Sequence, residues 1–542
     1  MSDGRRAALE VVLLLEQGAH VQAALDSYLR GASLKVQDRA LCTELVYGFL
    51  RAEVRIDYIL QSLLRNPRKL PREMYLALGL AVYALVFLER IPVHATVDWT
   101  VGHVRRRFGE PMSRVANGAL RALVRQGDAP KNLAYYLPQA MSSPTAFLQR
   151  DALFYAVPLW IAQLWQQAYG AETTTALLQR SFAAPHSCVR INARSVRAGE
   201  LRAALLPALA PPAPQACSRD ESCAAVPPPF PRAEAVGPWG VAFAAGTSPR
   251  SVANAPLSYW QQQGDISFQS AGSQSAMAAL EPDTWPQPVW DMCVGQGGKS
   301  CLLLEQGASL ALCTDVHLPR LESFTGNIQR ITSAFSSTGA GAVSKEAAFA
   351  AQLQAKQVIV ALQHRMDEKI YILEAKASAP SRTLRHADAD VDEEMAKCSV
   401  DSVSAVDGAE SLSSSPVIPL IALVDGTQIP QKVWKGTILI DAPCSGLGVL
   451  SRRPDIRRSR REQSLAEMIA LQAQLLESAW QALQAGGALV YMTCTLNPAE
   501  NENQIHALAQ KYPELQIIRE WQSAHTHPWL EGMYAAYCVK AV

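Results

Sequence analysis

Five short apolar runs in the last half of the chain constrain its fold most tightly. They are Val289-Trp290-Asp291, Leu310-Ala311-Leu312-Cys313, Leu420 to Val424, Thr437 to Ile440 and Ala488 to Met492, each separated from the next by helical or turn-forming sequence. Runs this short and this apolar read as strands buried on both faces, and a β-then-α rhythm reads as an open, mostly parallel sheet with helices on both sides. The front of the chain has another character. From residue 5 to about 127 apolar residues recur at helical spacing, and Met74 to Leu88 is nearly all apolar, as expected of a helix at the centre of a bundle. The sequence therefore predicts an α + α/β protein: an all-α bundle followed by a Rossmann-like domain.

At 542 residues two or three domains are expected. Residues 1–130 are assigned to the helical domain, 131–180 to a helical linker, 181–280 to an α/β subdomain and 281–542 to the sheet domain. A Pro- and Ala-rich stretch at 206–232 reads as a loop. Residues 333–416, rich in Ser, Ala, Gly and acids, read as a low-complexity insertion with one helix near Glu346 to Ala361. Residues 1–150 carry 20 Lys plus Arg against 13 Asp plus Glu, a surplus of 7 that suits a nucleic-acid partner.

The eleven cysteines show no zinc spacing, so no metal is expected. With no signal-peptide pattern and no membrane span, reduced thiols in the cytoplasm and a monomer are expected.

Four motifs follow the predicted strands. Asp291-Met292-Cys293-Val294-Gly295-Gln296-Gly297-Gly298-Lys299 is a glycine turn between strand and helix, where backbone can approach a ligand closely. Taken alone, a tight structural turn explains it equally well. Asp315 ends the next strand, where a carboxylate can accept from ribose hydroxyls or cap a helix. Asp441-Ala442-Pro443-Cys444-Ser445-Gly446 and Thr493-Cys494-Thr495-Leu496-Asn497-Pro498-Ala499-Glu500-Asn501-Glu502 place two cysteines in strand-end turns. Ligands of open α/β sheets bind at that edge. Burial as a small apolar residue is the default for a cysteine, and it suffices for Cys42, Cys301, Cys313 and Cys538. It explains the two turn cysteines less well. Six arginines between Ser451 and Arg461, among them Arg452, Arg453, Arg457 and Arg458, are candidate phosphate contacts.

These motifs, in this order, resemble the RsmB/Sun (Fmu) family of 16S rRNA cytosine-C5 methyltransferases, in the NOL1/NOP2/Sun group. Glu44-Leu45-Val46-Tyr47-Gly48-Phe49-Leu50-Arg51, Ile91-Pro92-Val93-His94-Ala95 and Asn117-Gly118-Ala119-Leu120-Arg121 resemble a NusB-like RNA-binding domain, and Arg190-Ile191-Asn192 resembles the family's entry into its N-terminal subdomain. The resemblance implies a class I methyltransferase using S-adenosyl-L-methionine. Cys293, Val294, Gly295, Gln296, Gly297, Gly298 and Lys299 would contact that cofactor, Asp315 its ribose and Asp425 its adenine region. Asp441 would lie near the methyl donor and the base. Cys494 corresponds to the nucleophile and Cys444 to the product-releasing cysteine, with small-subunit rRNA as partner. Two positions depart from the family's pattern: Gln296 stands where a proline is usual, and Ser270 where an aspartate follows Gln269. A non-catalytic, NusB-like RNA-binding or assembly factor is the rival expectation. A DNA cytosine methyltransferase is disfavoured, because that class would use Cys444 and lacks the second motif.

Overall fold

The computed structural model describes residues 3–136, 144–205, 233–245, 249, 251–335, 371–373, 384–386, 419–525, 527 and 530–542. Residues 206–232 and the helix expected near 346–361 lie outside them. The chain forms two compact units: Met1–Ala184 with Val449–Ser464, and Pro185–Gly448 with Leu465–Val542. No described helix is long and apolar enough to cross a membrane.

The first unit is all helical: α1 (Gly4–Glu16), α2 (Val21–Gly31), α3 (Val36–Leu63), α4 (Arg72–Phe87), α5 (Val93–Arg125), α6 (Pro144–Phe154) and α7 (Leu159–Phe182). Asp3 starts α1 by accepting from the amides of Arg5 and Arg6. Helix α4 is buried on nearly every side, from Met74 to Val86, as a uniformly apolar helix must be. It crosses α3 closely because Gly48 lies under the Tyr83 ring, where a Cβ would come within 1.9 Å of a ring carbon. A charge closes one end of the core. Arg55 donates to Tyr136 Oη and to the carbonyls of Phe154 and Pro130, and its guanidinium lies over the rings of Phe87 and Phe154.

The arginine-rich segment belongs to this unit, which alters its reading. Arg457 is buried and donates to the carbonyls of Leu450, Ala156 and Ser181 at 2.7–3.1 Å. Arg458 pairs with Glu16 and Glu53. These two side chains are thus committed to packing and are corrected from phosphate contacts to structural anchors. Arg453 sits on Asp455 and remains exposed, and Arg452 is half-buried.

In the second unit a small antiparallel sheet of order β2-β3-β1-β6 is built from β1 (Ser187–Ile191), β2 (Ala233–Val236), β3 (Gly240–Phe243) and β6 (Ile266–Phe268). A short ladder, β4 (Ser251–Val252) with β5 (Ala255–Pro256), lies between them in sequence. Helices α8 (Ala198–Leu205) and α9 (Leu257–Gln262) pack on this sheet. The large sheet has the order β10-β9-β11-β8-β7-β12-β13-β15-β14. Its centre is parallel: β7 (Val289–Asp291), β8 (Leu310–Asp315), β11 (Leu420–Leu423), β12 (Thr437–Asp441) and β13 (Ala488–Thr493). These are the five runs recognised in the sequence. Antiparallel strands extend it on both sides, β9 (Tyr371–Leu373) and β10 (Leu384–His386) on one, β14 (Leu515–Gln522) and β15 (Tyr534–Lys540) on the other. The sheet is therefore mixed, and the 333–416 stretch contributes two strands to it.

Alternate residues of β7, β12 and β13 enter opposite cores. Trp290, Ile438, Ile440, Leu489 and Tyr491 pack with α13 (Ser464–Ala482) and α14 (Glu502–Lys511). Val289, Leu439, Val490 and Met492 pack with α10 (Ala271–Ala279), α11 (Gly298–Glu305) and α12 (Leu318–Thr332).

The helical unit also holds a buried acid with a measurable consequence. Burial, then Asp57, push Glu53 up to about 7, against the pull of Arg72. Between the ordinary glutamate value of about 4.3 and that value, the folded chain binds this proton more tightly than the unfolded chain. Stability conferred by the protonated form is therefore lost as pH rises through that window. Glu53→Gln should flatten this fall, read as urea midpoints at several pH values; an unchanged slope would exclude Glu53 as its source.

Candidate active site

The chain runs from β7 to β8 and β11 on one side, then crosses to β12 and β13 on the other. Strand order thus reverses between β7 and β12, where an open α/β sheet leaves a crevice at its carboxyl edge. The loops after β7, β8, β11, β12 and β13 all end there.

Asp291, fully buried, builds the first loop from beneath by accepting from the Cys293 amide and the Ser300 hydroxyl. Burial pushes its carboxyl up to about 7. Gly295 and Gly297 have φ of 56° and 81°. A Cβ on Gly297 would come within 2.0 Å of the Phe324 ring, whereas one on Gly295 would meet open space. Gln296 is exposed, and its carbonyl accepts from Asn327. Asp315 binds the Gly295 amide at 2.9 Å with one oxygen and the His317 amide at 2.8 Å with the other. It joins the glycine loop to the turn just ahead of α12. Asp425, exposed at the end of the neighbouring β11, accepts from the amide and hydroxyl of Thr427.

Across the switch point, buried Lys299 of α11 lies 2.5 Å from Asp441 at the end of β12. Burial pulls the lysine down, but Asp441 and its neighbours outweigh this and hold it above its usual value. In-register pairing of β12 with β13 sets Asp441 beside Met492 and brings the next two turns together. The sulfurs of Cys444 and Cys494 are 3.3 Å apart, and the Cys494 amide points at Cys444 Sγ over 3.4 Å. Their hydrogen bond pushes the Cys444 thiol well above the usual range, and burial adds to it. The same bond holds Cys494 below the usual range, with help from Lys299 and against burial and Asp441. Cys494 is the thiol that loses its proton first.

Two groups that lie within the quoted segments, but were given no role of their own there, support these loops. Arg190 of β1 grips Glu305 with two nitrogens at 2.6 and 2.7 Å and also donates to the Gly298 carbonyl at 2.9 Å. Gln269 shares that carbonyl, and Ser270 caps α10 through the Ser273 amide. The serine found at the departed position is thus a helix cap. Beneath both cysteine turns lies Glu500, fully buried and bonded to Ser445, Gln472 and Asn497. The motif pattern includes Glu500 but does not show which partners its carboxylate binds.

Residues 410–531 match the family described as 16S rRNA methyltransferase RsmB/F, and residues 2–125 match the NusB family. Relatives extend over nearly the whole chain. A Bacillus subtilis protein named probable ribosomal RNA small subunit methyltransferase B is 24% identical over 94% of this chain and 89% of its own length. A Yersinia pestis ribosomal RNA small subunit methyltransferase B is 25% identical over 96% and 92%. The crystal structure of PH0851 superposes with a TM-score of 0.62 at 17% identity, covering 99% of this chain and 98% of that one, which shows a shared fold. One match lies on the helical unit and the other spans both paired cysteines: residues 410–531 are similar to the RsmB/F methyltransferases, and residues 2–125 to the NusB family.

Proposed function

We propose that the protein methylates carbon 5 of a cytosine in RNA, with small-subunit (16S) rRNA as the substrate and S-adenosyl-L-methionine as the methyl donor. The observation carrying this reading is the pair of sulfurs 3.3 Å apart at the switch-point edge, of which Cys494 is the more acidic.

The donor set fits a nucleoside sulfonium. Gly295 leaves open space above the loop, and Asp315 and Asp425 end adjacent strands as acceptors for hydroxyl and amine groups. When bound, S-adenosylmethionine supplies an electrophilic methyl group. Residues Cys293 to Lys299 would hold its amino-acid end, with Asp315 at the ribose and Asp425 near the adenine.

Cytosine carbon 5 is a poor nucleophile. Attack of the Cys494 thiolate on carbon 6 forms a carbon–sulfur bond and makes carbon 5 electron-rich, splitting one hard step into easier ones. Asp441 would stabilise the protonated ring at N3. Lys299, beside Asp441, supplies positive potential that favours the thiolate. Once Cys494 Sγ is bonded to carbon its hydrogen bond with Cys444 is lost, so the largest influence keeping Cys444 protonated is removed. Cys444 can then release its own proton to solvent and, as thiolate, take the proton from carbon 5, directly or through water, while the electron pair left at carbon 5 expels Cys494 as thiolate. The base must be unpaired or flipped to reach this edge. The non-catalytic alternative leaves the close pairing of the sulfurs without a purpose.

A separate feature supports RNA binding. A groove of about 730 Å³ on the helical unit is lined by Arg65, Asn66, Arg68, Lys69 and Arg72. Arg65, Arg68 and Lys69 are exposed and have no ion pair among the described residues, so they are available to backbone phosphates.

Cys494→Ala should abolish transfer of labelled methyl to RNA, whereas Cys444→Ala should accumulate a covalent RNA adduct stable on a denaturing gel. Activity retained without Cys494 would overturn the mechanism. Lys299→Met should move alkylation of Cys494 by iodoacetamide to higher pH, followed by peptide mass; an unmoved midpoint would remove Lys299 from thiolate stabilisation. Reversing Arg65, Arg68 and Lys69 to glutamate should weaken RNA binding and lower its log–log salt slope by about 2. A salt dependence equal to that of the unaltered protein would count against the groove.

A further inference from the structure

We propose that Glu500 is a positioning residue: one buried carboxylate that ties the two cysteine turns to each other and thereby sets the separation of the reacting sulfurs. The proposal rests on the two-cysteine reading and adds to it a residue that touches neither sulfur nor substrate.

Glu500 sits in the single turn Pro498–Glu500 between Cys494 and α14, and its side chain is fully buried. One oxygen accepts from the Ser445 amide at 2.7 Å and from Gln472 Nε2 at 3.1 Å. The other accepts from Ser445 Oγ at 2.5 Å, Asn497 Nδ2 at 3.0 Å and Thr495 Oγ1 at 3.4 Å. Ser445 follows Cys444 and Thr495 follows Cys494, so the residue after each cysteine is bonded to the same carboxylate. Ser445 Oγ and Thr495 Oγ1 are also 2.7 Å apart. Gln472, besides reaching Glu500, donates to the carbonyl of Pro443, which precedes Cys444, at 2.9 Å. On the other turn, Thr493 Oγ1 donates to Asn501 Oδ1 at 2.5 Å, and Asn501 Nδ2 donates to the Thr495 carbonyl at 3.2 Å. Both neighbours of each cysteine are therefore held.

A buried carboxylate without partners would be costly, and with five donors it is a rigid hub. Its charge does not assist the chemistry. It lies close enough to oppose thiolate formation at both Cys444 and Cys494. A group that disfavours the reactive ionisation electrostatically, yet binds both turns, contributes geometry. The functional demand is plain: Cys494 must reach carbon 6 while Cys444 stays within proton-transfer distance of carbon 5 on the same ring.

Glu500→Gln keeps the shape but turns an NH₂ group toward donors, so one side of the hub must open. Ser445→Ala removes one bond to the carboxylate and the hydroxyl link to Thr495, without placing a donor against a donor. We expect kcat for methyl transfer by the full chain to fall about 10²-fold in Glu500→Gln and about tenfold in Ser445→Ala, with the Kd for S-adenosylmethionine within about twofold. Adduct formation in a Cys444→Ala background should slow in parallel. A kcat within about twofold of the parent in both variants would overturn the proposal. So would a loss of cofactor affinity matching the loss of rate, the signature of a residue that merely supports the fold. Should Glu500→Gln not fold, Ser445→Ala decides by the same two readouts. Absence of methyl transfer by the unaltered protein would instead strike the underlying two-cysteine reading.

Discussion

The parallel pairing of β12 with β13 is the constraint on which the site depends. Its register, Thr437 with Ala488 through Asp441 with Met492, ends both strands at one level, so two turns fifty residues apart in sequence begin side by side. Slipping a strand by one residue would send every side chain to the opposite face. Here that error would be doubly expensive, because both faces are core: Ile438, Ile440, Leu489 and Tyr491 fill one side, while Leu439, Val490 and Met492 fill the other. Hydrophobic packing thus fixes the register, and the register delivers Cys444 and Cys494 to within 3.3 Å. The reactive geometry is a consequence of the core.

Electrostatics then divide the two thiols, which are chemically identical in the unfolded chain. Cys444 is buried and Cys494 half-buried, and desolvation alone would push both upward. Two features favour ionisation at Cys494, its hydrogen bond with Cys444 and Lys299 reaching from the glycine-loop helix, while the Cys494 amide on Cys444 Sγ acts in the opposite sense. Lys299 is itself held by Asp441 across the switch point, so cofactor loop and thiol environment are linked through one ion pair. An exposed pair of this kind would contribute little. Here Lys299 is buried while Asp441 is partly exposed, and the pair fixes where positive potential lies.

The central strands, the helical front and the cysteine turns were legible in the sequence because each rests on local patterning. Apolar runs of Val289–Asp291 or Thr437–Asp441 type carry their own signal, and α4 shows its burial on all faces. The flanking strands were less so. β14 has only a half-buried alternation, Leu515 in and Gln516 out, and its pairing with β15 is antiparallel at the sheet's edge, outside the βα rhythm. Arg457 and Arg458 were misread for a related reason. Arginine density signals affinity for anions, but the anions here are carbonyl oxygens of Leu450, Ala156 and Ser181 and the carboxylates of Glu16 and Glu53. Charge in a sequence does not say whether its partner is intramolecular. The role of Arg190 was hidden for the same reason, since its partner Glu305 is 115 residues away.

The departures at Gln296 and Ser270 now have a physical interpretation. What the glycine loop requires is set by its surroundings. Gly297 must be glycine because the Phe324 ring occupies the place of a Cβ, and Gly295 must turn its amide onto Asp315. Gln296 between them is exposed and contributes a carbonyl to Asn327, a bond any residue can offer. Ser270 retains the one function the position shows here, an oxygen that caps α10 through the Ser273 amide, which serine and aspartate provide about equally well. Arg190 and Gln269 hold the far end of the loop at the Gly298 carbonyl. The loop's shape is therefore enforced by Asp291, Asp315, Phe324 and Arg190 from outside the motif, which is why its middle can vary while the frame around it stays in place.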